Sequence, residues 1–62
     1  MPEKKEFAVS DHTGVNVAYT DDFKVAKQRV RELDDELVHQ DIEGWAAVMR
    51  WDEDEQGYIL YY

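Results

Sequence analysis

The stretch TDDFKVAKQRVRELDDELVH, residues 20–39, decides the fold because it carries the helical periodicity of the chain. Its apolar residues recur at i, i+3, i+7, i+10 and i+14, namely Phe23, Ala26, Val30, Leu33 and Leu37. This spacing places them on one face of an α-helix. Thr20 or Asp21 can cap the first turn by accepting a hydrogen bond from a free backbone N–H. We therefore predict one helix that ends near His39 and packs one apolar face on another element.

Residues on both sides of this helix alternate with the period of a β-strand. Before it, residues 6–10 and 15–19 alternate around the turn Asp11-His12-Thr13-Gly14 and predict a first hairpin. After it, residues 45–51 and 58–62 alternate around the tract 52–57 and predict a second hairpin. The predicted element order is ββαββ.

Two hairpins that flank one helix pack as a four-stranded sheet with the helix across one face. We therefore predict an α+β fold. In order and length the elements resemble the β-grasp immunoglobulin-binding domains of streptococcal protein G and protein L, and the resemblance covers most of the chain. It rests on element order, so it implies a fold and no functional residues. An antiparallel meander of the same elements is the alternative.

The length of 62 residues leaves room for one domain, 1–62, with a small core. We expect residues 1–5 to form a flexible N-terminus. The chain has no cysteine to supply a disulfide or a thiolate zinc site. No stretch approaches the roughly 20 apolar residues that span a bilayer, and the polar start lacks the apolar run of a signal peptide. We expect a soluble cytoplasmic protein that does not bind membranes.

The charge is strongly negative and unevenly distributed. Fifteen acidic residues oppose seven basic ones, for a formal net charge of −8. Residues 1–31 carry six basic and five acidic side chains, whereas residues 32–62 carry ten acids and only Arg50. Such a charge repels nucleic acid and attracts basic surfaces. We therefore expect no direct nucleic-acid binding and a basic protein partner.

In the predicted fold the acids gather at two poles. The tract 52–55 and the aspartates at the helix start belong to one pole, while the acids of the second half of the helix and of the next loop belong to the other. The candidate acidic contacts for a partner are Asp34, Asp35, Glu36, Asp41, Glu43, Asp52, Glu53, Asp54 and Glu55. Two acidic poles separated by the length of a strand can copy the charge of a nucleic-acid backbone.

The second hairpin is apolar on both faces. The pattern places Trp45, Met49, Trp51, Tyr58, Leu60 and Tyr62 on one face and Val48, Ile59 and Tyr61 on the other. One helix covers one face of a sheet, so one set lacks cover and marks a contact surface. The candidate aromatic contacts, with a partner or with a second copy in a homodimer, are Trp45, Trp51, Tyr58, Tyr61 and Tyr62.

Motifs for catalysis or metal binding are incomplete. Ser10, Asp11 and His12 are the residue types of a hydrolase triad, but three neighbours in one turn cannot form the required relay. Residues 52–57 resemble the start of an EF-hand loop, which would require a carboxylate at position 63. His12 and His39 lack the short ligand spacing of a zinc site. We predict no enzyme activity, no cofactor and no metal.

These observations favour a protein that works by binding. The leading hypothesis is an inhibitor or adaptor that engages a basic nucleic-acid-handling protein through an acidic, DNA-mimic-like surface. In size, charge and lack of catalytic residues the chain resembles phage-encoded anti-restriction and anti-CRISPR proteins. The alternative is a homodimeric structural protein, or a halophilic one, whose acids serve solubility.

Overall fold

A computed structural model describes residues 5–62 of the chain, and residues 1–4 of the expected flexible N-terminus lie outside the described residues. Four strands and one helix follow each other in the predicted order. They are β1 (Phe7–Ser10), β2 (Asn16–Thr20), α1 (Phe23–His39), β3 (Ala47–Asp52) and β4 (Gly57–Leu60). The predicted α+β class and the ββαββ order are confirmed.

The strands form one sheet of order β2-β1-β3-β4, and all three neighbouring pairs are antiparallel. The sheet departs from a simple meander at one step, because β1 rather than β2 lies beside β3. Strands β2 and β3 consequently run parallel to each other with β1 between them, and α1 connects them across one face. The resemblance to β-grasp domains thus extends to the order of elements and not to this antiparallel strand order.

The helix cap lies one residue later than Asp21, at Asp22. The Asp22 carboxylate accepts a 2.9 Å hydrogen bond from the Lys24 amide. Of the two predicted caps, Asp21 instead accepts bonds from Glu6 and Lys5, and the Thr20 hydroxyl accepts one from the Asp22 amide. Both side chains are engaged in these hydrogen bonds, so Asp22 caps the helix and Phe23 is its first residue.

The helix ends at His39, as predicted, in a Schellman motif. The Ile42 amide donates to the Leu37 carbonyl at 3.0 Å, and the Asp41 amide donates to the Val38 carbonyl at 3.2 Å. Asp41 occupies the left-handed position of this motif, with φ of 56°. The last helical carbonyls are therefore satisfied before the chain turns toward β3.

The core lies between α1 and the face of the sheet that carries Phe7, Val9 and Val48. Val9 and Val48 are fully buried, and burial stabilises each by roughly 1.5–3 kcal/mol. The predicted helix stripe completes this core, with Ala26 buried and Phe23, Val30 and Leu33 packed against it. Val48 belongs to the set that also holds Ile59 and Tyr61, so the helix covers that side of the second hairpin.

Both strands of the second hairpin differ from their predicted bounds. Strand β3 begins at Ala47 rather than Trp45, because the Ala46 amide donates to the Asp34 carboxylate instead of joining the sheet. Strand β4 ends at Leu60, because the Tyr61 and Tyr62 amides both donate to the Val48 carbonyl and break the regular ladder. Trp45 and Tyr62 therefore lie outside the strands.

Candidate protein-binding surface

The sheet face opposite the helix is rich in large apolar side chains and has no element over it in residues 5–62. Residues directly opposite in an antiparallel pair project on the same side. The register joins Tyr19 to Ala8, Ala8 to Met49, Met49 to Leu60 and Trp51 to Tyr58. We call this surface the open face and define it by Tyr19, Met49, Trp51, Tyr58 and Leu60.

Three aromatic rings of the open face contact one another across the sheet. The Trp51 and Tyr58 ring centroids lie 5.3 Å apart at 73°, and those of Tyr19 and Tyr58 lie 5.5 Å apart. Aromatic pairs at such distances and angles add to the energy of burial. Ala8 is fully buried although no helix covers it, because it lies between the larger Tyr19 and Met49. The rings therefore form a preformed platform.

Tyr58 holds the centre of this platform in place. Its hydroxyl donates a 2.8 Å hydrogen bond to the Lys5 carbonyl. Burial, with smaller contributions from Tyr19 and Asp21, raises the pKa of Tyr58. The phenol thus stays protonated and keeps its role as a donor at neutral pH.

The acidic tract forms the turn that directly follows the Trp51–Tyr58 pair. Asp52 organises the turn, because its Oδ1 accepts bonds from the Asp54 amide at 2.8 Å and the Glu55 amide at 3.4 Å. Gln56 closes the turn in a left-handed conformation, with φ of 53°. Glu53, Asp54 and Glu55 are exposed. The turn therefore presents three carboxylates next to the aromatic platform.

The second group of predicted acids lies at the other end of β3. Asp35, Glu36, Asp41 and Glu43 are exposed along the end of α1 and the loop that follows it. Asp34 is half-buried, and its carboxylate accepts the 2.7 Å bond from the Ala46 amide. The structure thus places the two predicted groups at opposite ends of the sheet and assigns Asp34 a structural role.

Several aspartates have structural roles that a count of charges does not reveal. Backbone amides donate to five of them, Asp11, Asp21, Asp22, Asp34 and Asp52. Their pattern carries a signal, because Asp is typical of turn starts and helix caps. Hydrogen bonds from Thr13 and Val15 lower the pKa of Asp11, and those from Glu6 and Lys5 lower that of Asp21. Part of the negative charge therefore serves the fold.

The predicted aromatic contacts do not share one surface. Trp51 and Tyr58 lie on the open face, whereas Tyr61 and Tyr62 each contact the Phe23 ring on the helix side, with centroids 5.4 and 5.6 Å apart. The placement of Tyr62 beside Trp51 was wrong, since the irregular pairing after Leu60 ends the strict alternation. Trp45, placed on the same face, lies in the loop before β3 with 74% of its surface exposed.

Within residues 5–62, no group of three His, Asp or Glu side chains is placed to hold a metal ion. His12 instead lies against Gly44, where an added Cβ would be 2.9 Å from the His12 Cβ.

Among residues 5–62, no helix is long and apolar enough to cross a membrane.

Comparison with known proteins identifies no relative. No family model matches the chain, and neither the curated proteins nor the solved structures contain a match.

Proposed function

We propose that this protein is a small binding module that engages a basic protein partner, of the kind that handles nucleic acids, through the open face and the acidic turn beside it. It acts as an inhibitor or adaptor and performs no chemistry of its own. The observation that carries the proposal is the juxtaposition of the Trp51–Tyr58 pair with the turn Asp52–Glu55.

The two parts of this surface suit different parts of an interface. Aromatic residues supply large desolvated contacts at the centre of an interface and often dominate its energy. Peripheral carboxylates steer a basic partner and select it over other proteins. Lys and Arg side chains of a partner also bind favourably over the faces of Trp and Tyr rings. The open face and the turn together therefore favour a partner rich in Lys and Arg.

The spacing of the acids supports a partner that binds nucleic acid. The six residues of β3 separate the two acidic groups by about 17 Å at the rise of a β-strand. DNA carries a phosphate about every 3.4 Å along each strand, so this distance spans several phosphates. A basic channel for a nucleic-acid backbone offers complementary charge over the same length.

Asp41 gives further support, because its position is unfavourable for stability. A left-handed residue at a helix C-terminus is most often Gly, and a negative charge there opposes the helix dipole. A carboxylate at this position therefore costs free energy of folding. A role in contacting a basic partner accounts for that cost.

Capture from the lysate of cells that express the protein tests the proposal. Wild-type protein and the variant Val38→Ala, which shortens an exposed apolar side chain on the helix, should retain the same basic protein and release it at high salt. Tyr19→Ala should retain less of it, and Glu53→Lys with Asp54→Lys should lose it. Equal capture by all four proteins, or no specific capture by any, would overturn the proposal.

A further inference from the structure

Among residues 5–62, no strand pairs with the outer edge of β4, so this edge has unpaired backbone groups. Hydrogen bonds of the neighbouring strand β3 show which of its residues point toward β4. The Trp51 amide donates to the Glu6 carbonyl on the β1 side, whereas the Val48 amide and carbonyl form hydrogen bonds with Tyr61 and Tyr62 on the β4 side. Amide groups of successive strand residues point to opposite sides, so Ile59 pairs inward with Arg50. The N–H and C=O groups of Tyr58 and Leu60 therefore point outward along the sheet edge.

The residues at this edge are apolar and exposed on both faces. Ile59, Leu60, Tyr61 and Tyr62 expose 43%, 69%, 49% and 64% of their surfaces, and residues 57–62 contain no charged side chain. Native proteins usually protect an edge strand with charge, proline or a covering element. Here α1 packs on β1, β2 and β3. The β4 edge is thus suited to pairing with another strand.

A cationic cleft lies beside the same edge. Lys24, Lys27 and Arg31 follow one flank of α1 at i, i+3 and i+7 and line an open cleft of about 620 Å³ together with Tyr62. Lys27 Nζ lies 5.1 Å from the Tyr62 ring centroid. We call this feature the cationic cleft.

The cations of the cleft differ from the other basic residues that the structure describes. Lys5, Arg29 and Arg50 each form an ion pair, with Asp21, Glu32 and Glu6 respectively. Among residues 5–62, Lys24, Lys27 and Arg31 form none. Three acids also line the cleft, namely Glu32, Asp34 and Asp35. Glu32 is paired with Arg29, and Asp34 accepts a hydrogen bond from the Ala46 amide, so neither balances the three cations. The cleft thus has unpaired positive charge to offer to an acidic group.

We propose that two copies of this chain pair antiparallel through β4, so that the acidic turn of each copy fills the cationic cleft of the other. With Ile59 opposite Ile59 of the partner subunit, Tyr58 and the partner subunit's Leu60 exchange both backbone hydrogen bonds, and the symmetric pair does the same. Gln56 of the partner subunit then lies opposite Tyr62. The next residue, Glu55 of the partner subunit, reaches the cleft beside Tyr62.

A second copy suits this surface because its second hairpin carries both the β4 edge and the acidic turn. The outward N–H and C=O groups of Tyr58 and Leu60 lie only a few residues from the acids of the turn. One register of the two strands therefore pairs these backbone groups and also brings the acids to the cationic cleft. The open face remains free and becomes one continuous surface over two sheets. The dimer therefore shares the acidic turn with the proposed partner binding but does not rest on it, because its pairing requires no partner protein.

Sedimentation velocity of the purified full-length chain tests this pairing without any partner protein. Wild-type protein should sediment as a dimer. Leu60→Pro removes one outward N–H per copy, and proline is tolerated on an edge strand at such a position, so this variant should be a folded monomer. Leu60→Lys should have the same effect by adding charge to the edge. A wild-type monomer, or a dimer unchanged by either substitution, would overturn the proposal.

A charge exchange tests the register. Lys27→Glu and Glu55→Lys should each weaken dimerisation about tenfold, as expected for loss of a close charge pair across an interface. The double variant should recover most of the wild-type affinity. Arg29→Glu, on the opposite flank of α1, serves as the control and should leave dimerisation unchanged. A double variant as weak as the single ones would contradict the placement of the turn in the cleft.

Discussion

The carboxylate of Asp34, in the second half of α1, accepts a 2.7 Å hydrogen bond from the backbone amide of Ala46, just before β3. This bond connects the helix to the chain that enters the second hairpin. Ala46 is buried and lies just outside β3, so its amide needs an acceptor other than the sheet, and the Asp34 carboxylate supplies it. Asp34 therefore determines where β3 begins.

Asp34→Ala should lower the free energy of unfolding by about 1–3 kcal/mol, because it leaves the buried Ala46 amide without its acceptor. Asp35→Ala removes the same charge from an exposed neighbour and should change stability by less than about 0.5 kcal/mol. Urea unfolding of both variants measures the difference. Equal losses would show that the charge matters rather than the bond.

Asp41→Gly should raise stability by about 1 kcal/mol, because glycine adopts φ of 56° without steric cost and removes a negative charge from the helix C-terminus. Gln40→Gly is the matched control. Gln40 has φ of −90°, so glycine there only adds freedom to the unfolded chain and should not stabilise. Thermal unfolding distinguishes the two, and a destabilised Asp41→Gly would be contrary to this account.

The helix, the strands and their order along the chain could be predicted because they follow from local periodicity. The apolar stripe from Phe23 to Leu37 and the alternation around Asp11–Gly14 each depend on neighbours in sequence. Strand order could not, because pairing of β1 with β3 is a contact between distant segments. Tyr62 was misplaced for a related reason, since strict alternation fails where two amides share one carbonyl.

The candidate site was predicted in part. Trp51, Tyr58 and the acids of the turn lie together, as the hairpin pattern implied. Tyr19 was missed as a member of the surface because it joins the platform from β2 across two intervening strands. Asp34 and Asp52 were assigned to partner contact alone, since a count of charges does not distinguish a free carboxylate from a hydrogen-bonded one.

Stability should fall as the pH drops below about 4, partly because of Asp11 and Asp21. Hydrogen bonds to their carboxylates hold both pKa values below the ordinary value for an aspartate, 3.8. The folded state therefore binds fewer protons than the unfolded state in this range, and its stabilisation is lost as the pH falls through the lowered pKa. Asp11→Asn and Asp21→Asn should each flatten the decline. Curves parallel to that of the wild type, in unfolding measured from pH 6 to 2, would contradict this prediction.

Gly44→Ala should destabilise more than Gly14→Ala. Both glycines have positive φ, 128° and 89°, which strains any other residue by roughly 1–2 kcal/mol. An alanine Cβ at Gly44 would also lie 2.9 Å from His12 Cβ, whereas nothing lies within 4 Å of the corresponding Cβ at Gly14. Chemical unfolding of both variants measures the added cost of overpacking, and equal losses would show that the loop at Gly44 moves freely away from His12.

Site-specific photo-crosslinking in cells tests most directly whether the open face is the partner-binding surface. A photoreactive phenylalanine in place of Tyr19 lies on that face, and the same residue in place of Val38 lies on the exposed side of the helix. We predict that the probe at position 19 crosslinks to a basic, nucleic-acid-handling protein and that the probe at position 38 does not. Crosslinking of that protein only from position 38, or of no protein from position 19, would contradict the central claim.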